Sequence, residues 1–230
     1  MSLRRSHILV FASALTACVW AGEGGKPPVK VGLPNLRLDL KKKSIEIEGT
    51  FCVGEYPLEL LVCQNTMRDY ESMVSSPCEP SVLHTALLAL GLKPRVRDQK
   101  DPAKIIREGD GVDLLVRFTR KGKVVTVEPR ELIMHVETKE HIQATPFVFY
   151  GSYFFPSPED KKKMIYLADA EDWLVGLLGD AASVVDLPPG SAGQYGMLAI
   201  DPAVAPPKGT KVTIILRPAR DRKPVPLPKK

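Results

Sequence analysis

The 230 residues carry a formal net charge of +5, but this charge is concentrated at the two ends of the chain. Cleavage before Cys18 would remove Arg4 and Arg5, and residues 217–230 hold six cations against one anion, so the part between is slightly acidic, near −2. A nucleic-acid-binding domain would concentrate cations on its folded face, so we expect no nucleic-acid partner. The remaining length of about 190 residues suffices for one domain with a hydrophobic core.

The first 21 residues predict an export signal. Arg4 and Arg5 precede an apolar run over 8–21 that only Ser13 and Thr16 interrupt, which is the layout of a secretory leader. At 14 residues the run is shorter than the roughly 20 needed to cross a bilayer as a helix. We therefore expect an extracytoplasmic protein, either a membrane-anchored lipoprotein or a periplasmic or secreted one.

Two processing routes are open for this leader. The residues 15–18, Leu-Thr-Ala-Cys, resemble a bacterial lipobox, in which case Cys18 is the lipid attachment site and tethers the protein to a membrane. Val19 and Ala21 instead occupy positions where small residues guide ordinary signal peptidase, which would release a soluble protein. In both cases the Gly- and Pro-rich residues 22–35 predict a flexible linker.

Alternation of apolar and polar residues predicts a strand-rich single domain over residues 36–217. Residues 44–53 alternate with period two, Gly54–Pro57 supply a turn, and 58–63 are expected to return as the second strand of a hairpin. Short connections between neighbours predict a mainly antiparallel sheet, or two sheets. Further strands are predicted at 112–118, 124–127, 147–150, 153–155, 164–167, 196–200 and 211–216.

One buried helix is predicted at about 80–91. Pro80 suits a first helical turn and Gly91 suits a left-handed cap, and the residues between them are apolar nearly all round the helix. A second short helix is predicted at about 170–178. The expected fold class is therefore α+β, with mainly antiparallel β-sheet packed on the buried helix as the centre of the core.

Three cysteines, Cys52, Cys63 and Cys78, remain after either cleavage. In the expected hairpin Cys52 would face Glu59 and lie about 13 Å from Cys63, too far for a bridge. Cys63 with Cys78 is the better disulfide candidate, and two independent buried thiols are the alternative. Because no C-x-x-C occurs, zinc ribbons, thioredoxin-like redox chemistry and four-thiolate clusters lack their ligands, and we expect no cofactor.

The candidate catalytic residues are Glu59, Glu71 and His84. Glu71 lies in the loop that leads to the predicted helix, and His84 lies at the edge of its apolar stripe. If the loop folds back, Glu71 could hydrogen-bond to His84 and shift its proton affinity, which would begin an acid–base or metal site. The alternative is a core histidine satisfied by a carboxylate or a backbone carbonyl.

Two further groups of residues are weaker site candidates. Asp169 and Asp172 follow a predicted strand and are weak candidates for binding a hard cation, although helix capping explains acids in a first turn equally well. Four aromatic residues bracket Gly151 and Ser152 and could line a ligand surface or pack the core: Tyr150, Tyr153, Phe154 and Phe155. No nucleophile elbow, phosphate loop, H-E-x-x-H helix or dinucleotide fingerprint occurs, so an enzyme is not favoured.

An ordered series of segments resembles the YdjY-domain family of exported bacterial proteins. The resemblance covers about residues 36–217, and implies an exported domain of a class with no established reaction. Tyr70 stands where relatives often have histidine, so a site that uses this histidine is not implied here. The segments are Pro57–Cys63, Tyr70–Ser72, Leu83–Pro94, Phe147–Ser152, Asp186–Pro188 and Pro206–Val212.

The C-terminal residues 218–230 are basic and Pro-rich. Such a tail is either a solvated, extended end or a segment attracted to anionic lipid or cell-wall polymer. Together these features predict a non-catalytic binding or interaction module at the cell envelope, with an unknown envelope partner. The alternative prediction is an enzyme or a metal-dependent site built around Glu71 and His84.

Overall fold

The computed structural model describes residues 30–52, 57–65, 68–98, 101, 104–143, 145–192 and 194–219. The predicted export signal with Cys18 lies outside the described residues, as do most of the predicted linker and tail. The structure is mostly β, with 42% strand and 12% helix. Within the described residues, neither α-helix has the length and apolarity required to cross a membrane.

The described elements are short apart from helix α1 and three long strands. The helices are α1 (Pro80–Ala89) and α2 (Leu167–Glu171), and single 3-10 turns occur at Asp69–Glu71 and Pro129–Glu131. The strands are β1 (Lys30–Leu33), β2 (Leu36–Asp39), β3 (Ser44–Phe51), β4 (Leu60–Gln64), β5 (Ser72–Ser76), β6 (Val96–Arg97), β7 (Ile105–Arg107), β8 (Gly111–Arg120), β9 (Lys123–Val127), β10 (Ile133–His135), β11 (Phe147–Phe149), β12 (Phe154–Pro156), β13 (Met164–Tyr166), β14 (Trp173–Gly176), β15 (Val185–Asp186), β16 (Leu198–Ile200) and β17 (Lys211–Pro218).

Eight of these strands close into a barrel, whose strands we call the barrel wall. Their order is β3, β17, β8, β11, β15, β14, β4 and β5, and β5 pairs back with β3. Neighbours are antiparallel except for the β4–β5 and β14–β15 pairs, which are parallel. Outside the ring, β9 pairs with β8, β1 and β2 extend from β3, and three two-stranded ribbons form from β6–β7, β10–β16 and β12–β13.

The expected α+β fold, a sheet packed on a central helix, is wrong. A closed ring of strands buries its own interior, and Ile47, Val116 and Ile214 are fully buried there. Helix α1 contacts β2, β14 and α2; it packs Leu83 and Leu87 into the core cluster and leaves Leu88 exposed, so it flanks the core and is not its centre. The strands predicted from alternation are all present, although their ends shift by a few residues.

The second predicted helix, at 170–178, is also wrong. Helix α2 ends at Glu171 because Asp172 adopts a left-handed conformation with φ of 61°, and the chain then enters β14. The run from Trp173 to Leu178 is almost entirely apolar, and periodicity alone does not distinguish a buried strand from a buried helix in such a run.

The predicted hairpin between β3 and β4 does not form. Strand β5 lies between them, and the backbone N–H of Cys52 donates to the carbonyl of Met73 at 2.8 Å instead of facing Glu59. The backbone N–H of Glu59 donates to the carbonyl of Glu71 at 3.0 Å. This insertion of β5 brings two of the candidate acids together.

Candidate functional site

Arg68 holds Glu71 at the entrance to β5. Glu71 ends the 3-10 turn Asp69–Glu71 and is buried. The Arg68 guanidinium contacts Glu71 Oε1 and Glu171 Oε2, each at 2.9 Å, and lies 5.4 Å from the centre of the Trp173 ring. Arg68 therefore ties the loop after β4 to the end of α2 and to the start of β14.

Glu59 completes a carboxyl pair with Glu71. Burial, followed by the charge of Glu71, raises the pKa of Glu59. The charge of Glu71 likewise raises the pKa of the exposed Tyr70. A carboxyl with a raised pKa is suited to general acid–base chemistry, so Glu59 has the chemistry of a proton donor or acceptor, with Glu71 held beside it by Arg68.

His84 does not join this pair. Its Nδ1 lies 2.7 Å from the Tyr166 hydroxyl, which donates to the carbonyl of Gly151 at 2.9 Å. Because that hydroxyl proton is already used, this network assigns a proton to Nδ1 of His84. Burial lowers the pKa of His84. The predicted contact between Glu71 and His84 is therefore absent, and His84 is a neutral histidine satisfied by a hydroxyl.

The two candidate metal ligands have structural roles. An Asp169 carboxylate oxygen accepts the backbone N–H of Ser81 at 2.8 Å and so caps α1 from the neighbouring helix. Asp172 ends α2, and burial raises its pKa. Among the residues that the structure describes, no group of three or more His, Cys, Asp or Glu side chains could hold a metal ion.

The three cysteines are buried free thiols. The predicted Cys63–Cys78 bridge is not present, since Cys78 belongs to the hydrophobic core cluster whereas Cys63 pairs with Trp173 across the β4–β14 ladder. Burial raises the pKa of Cys63 to about 11 and that of Cys78 to about 12. Both thiols are therefore protonated and unreactive at neutral pH.

A cleft of about 510 Å³ lies at one end of the barrel, where β8 and β11 begin and β17 ends. Its lining includes the buried side chains of Leu114, Phe147 and Leu187. This volume falls within the range of small-molecule sites, which are commonly apolar with a few polar groups at defined positions.

The cleft's polar groups include both donors and acceptors. Arg217 and Asp113 are cross-strand neighbours, yet no ion pair within 4 Å joins these two described residues, and both line the cleft with Gln143 and Thr145. Sequence reasoning missed this site because Arg217 was counted with the charge of the tail. The alternation of β17 would have placed Arg217 on the outer face with Ile215.

Sequence reasoning also missed the buried carboxyl of Asp186, although Asp186 stands within the apolar run 184–187. The carboxyl accepts the backbone N–H groups of Gly179, Asp180 and Leu187 at 2.9, 3.1 and 2.7 Å. Burial raises the pKa of Asp186 to about 7, against the opposing effect of these hydrogen bonds. Asp186 therefore fixes the loop between β14 and β15 and titrates near neutrality.

A family model for the YdjY domain matches residues 36–217. The chain belongs to the YdjY-domain family. No curated protein and no solved structure matches it. The matched range contains both helices, nearly all of the barrel and most of the cleft lining, and the family resemblance is confirmed.

Proposed function

We propose that this YdjY domain is a non-catalytic binding module of an exported, envelope-associated protein, and that the cleft at the end of the barrel is its ligand site. The observation that carries the proposal is a cleft of about 510 Å³ with apolar and polar lining. The leader with its lipobox-like residues 15–18 supports export and a tether through Cys18.

The chemistry of the lining favours a neutral ligand rich in hydroxyl groups, such as a fragment of an envelope glycan. Arg217 offers donors, Asp113 offers acceptors, and Gln143 and Thr145 offer both. A second cation in the lining, Arg130, is neutralised by Glu128 at 2.5 Å. The charges therefore balance, and the apolar part of the lining suits the methyl and ring C–H groups of an N-acetylated sugar.

Binding of an N-acetylglucosamine tetramer to the full chain, measured by isothermal titration calorimetry, tests this proposal. We expect saturable binding that Thr145→Trp abolishes by filling the cleft, and that Arg217→Ala weakens about tenfold, the effect of losing one charge-assisted hydrogen bond. Arg37→Ala is the control, since Arg37 is exposed on β2. Binding that survives Thr145→Trp, or no binding of the tetramer, would reject this ligand site.

An acid–base enzyme is the second candidate, and the raised pKa of Glu59 beside Glu71 favours it. In this acid–base enzyme Glu59 and Glu71 would act together, and His84, bonded to Tyr166, would have only a structural role. The test is hydrolysis of aryl glycosides across a range of pH. Turnover that Glu59→Gln abolishes and Arg217→Ala leaves intact would establish the enzyme and displace the binding module.

A further inference from the structure

The ribbon formed by β12, β13 and their connecting loop places several apolar side chains on one face. Phe154 pairs with Tyr166, and Pro156 pairs with Met164. Directly paired residues and residues two apart share a face, so Phe154, Pro156, Tyr166 and Met164 lie together on one side. We call these residues the ribbon face.

Most of the ribbon face is uncovered although it is apolar. Phe154 is 61% exposed and Met164 is 52% exposed, and the adjacent Tyr153 is 43% exposed. Tyr166, which also belongs to the ribbon face, is buried beneath Phe154, with ring centroids 5.0 Å apart. Tyr166 is fixed by its hydrogen bonds to Gly151 and His84, so the exposed side chains stand on an anchored base.

Three consecutive lysines border this face. Lys161, Lys162 and Lys163 are exposed in the loop 157–163, and none of them forms an ion pair with another described residue. The loop also contains two acids, Glu159 and Asp160, and one oxygen of Asp160 accepts the backbone N–H of Lys162 at 3.0 Å.

We propose that the ribbon face and the lysines at 161–163 form an interfacial surface that docks on a bilayer containing anionic lipid. Exposed aromatic and thioether side chains beside lysines match the boundary of such a bilayer, where the apolar groups enter the acyl region and the ammonium groups meet lipid phosphates. Each cation near an anionic surface contributes about fivefold to binding, the equivalent of about 1 kcal/mol. This proposal concerns a different surface from the cleft and does not depend on its ligand.

The chain contains a matched control for charge alone. Lys41, Lys42 and Lys43 are also consecutive and exposed, in the turn between β2 and β3. No described aromatic residue adjoins them in sequence. A surface that merely attracts anions would use both lysine triplets, whereas a docking surface would use the one beside the ribbon face.

The experiment places a tryptophan reporter in the ribbon of the full chain, on a Trp20→Phe and Trp173→Phe background that removes the two native tryptophans, so that binding through the leader or the tail cannot imitate the result. The Phe154→Trp protein is titrated with phosphatidylcholine vesicles that contain roughly 30% phosphatidylglycerol, an anionic lipid, with and without brominated acyl chains. Val124→Trp, at an exposed position of β9, is the control. We expect brominated lipid to quench the fluorescence of the Phe154→Trp reporter and to leave that of the Val124→Trp reporter unchanged.

Charge reversals on the Phe154→Trp background complete the test. The triple reversal of Lys161→Glu, Lys162→Glu and Lys163→Glu should lower the apparent affinity for vesicles, measured by quenching, at least about tenfold. The same reversal at 41–43 should change this affinity less than about twofold. Equal effects of the two triplets, quenching that is unchanged with pure phosphatidylcholine, or no quenching in Phe154→Trp would overturn the proposal. An equal spectral response to soluble dextran sulfate would identify an acidic polymer, not a bilayer, as the partner.

Discussion

The barrel wall and the β12–β13 ribbon are built from similar apolar side chains in similar alternation. In the wall, Val116 and Ile214 are cross-strand partners that point into the closed interior and are fully buried. In the ribbon, Phe154 and Met164 share a face just as regularly but remain exposed. Alternation therefore indicates which side chains share a face, and ring closure decides whether that face is buried in a core or exposed to solvent.

The largest expected effect comes from a charge placed in the wall. Because the native pKa of Asp186 is raised to about 7, the folded state binds the proton more tightly than the unfolded chain does. The resulting stability is fully present below about pH 4 and is lost as pH rises through about 7, on the order of 4 kcal/mol at most. This contribution is measured as the free energy of unfolding by urea, determined for the wild type and for Asp186→Asn between about pH 4 and about pH 8.

The difference between those two curves isolates Asp186, since the other groups titrate in both proteins. We expect the wild-type free energy of unfolding to fall with rising pH relative to that of Asp186→Asn. Parallel curves would mean that the backbone N–H donors keep Asp186 ionised across the whole range.

A core substitution in the wall should have a slightly smaller effect. Ile214→Ala removes buried apolar atoms where β17 faces the closed interior, and it should lower the free energy of unfolding by about 3 kcal/mol. Val124→Ala, at a position that is 70% exposed, is the control and should change it by less than about 0.5 kcal/mol. A loss below about 1 kcal/mol at Ile214 would contradict a tightly packed barrel interior.

The ribbon should tolerate a similar loss of apolar atoms. Phe154→Ser gives up one ring contact with Tyr166 and little buried area, so we expect a loss of about 1 kcal/mol or less by urea unfolding. A loss as large as that of Ile214→Ala would show that the ribbon serves folding and would remove the contrast between the two regions.

The smallest expected effect is the titration of His84, which anchors the ribbon's base. Burial lowers its pKa, so its NMR titration midpoint should lie below 6.5, the ordinary value for histidine. The associated stability is present above that value and is lost as pH falls through the native pKa. Tyr166→Phe removes the hydroxyl partner and should shift the midpoint, whereas Tyr153→Phe should not.

The elements were largely predictable from sequence, whereas their arrangement was not. Period-two alternation found β3 and β8 because one face of each strand is buried. The closure of the ring depends on pairings between segments distant in sequence, such as β3 with β17 and β5. Local patterns do not encode these partners, so a helix was wrongly placed at the centre of the core.

The candidate site was predicted in part. Glu59 and Glu71 were both singled out, and the β5 insertion brings them together, but the partner proposed for Glu71 was wrong. Arg68, three residues earlier, pairs with Glu71, while His84 turns to Tyr166, which lies far along the chain. Such side-chain choices depend on tertiary neighbours that no spacing in the sequence reveals.

Hydrogen–deuterium exchange of the full chain, with and without vesicles containing phosphatidylglycerol, tests most directly whether the ribbon is a contact surface while the wall serves the fold. We predict added protection at residues 153–166 and unchanged exchange in the turn at 40–44, although both regions carry a lysine triplet. Equal protection of the two regions, or protection confined to residues outside the ribbon, would contradict the account.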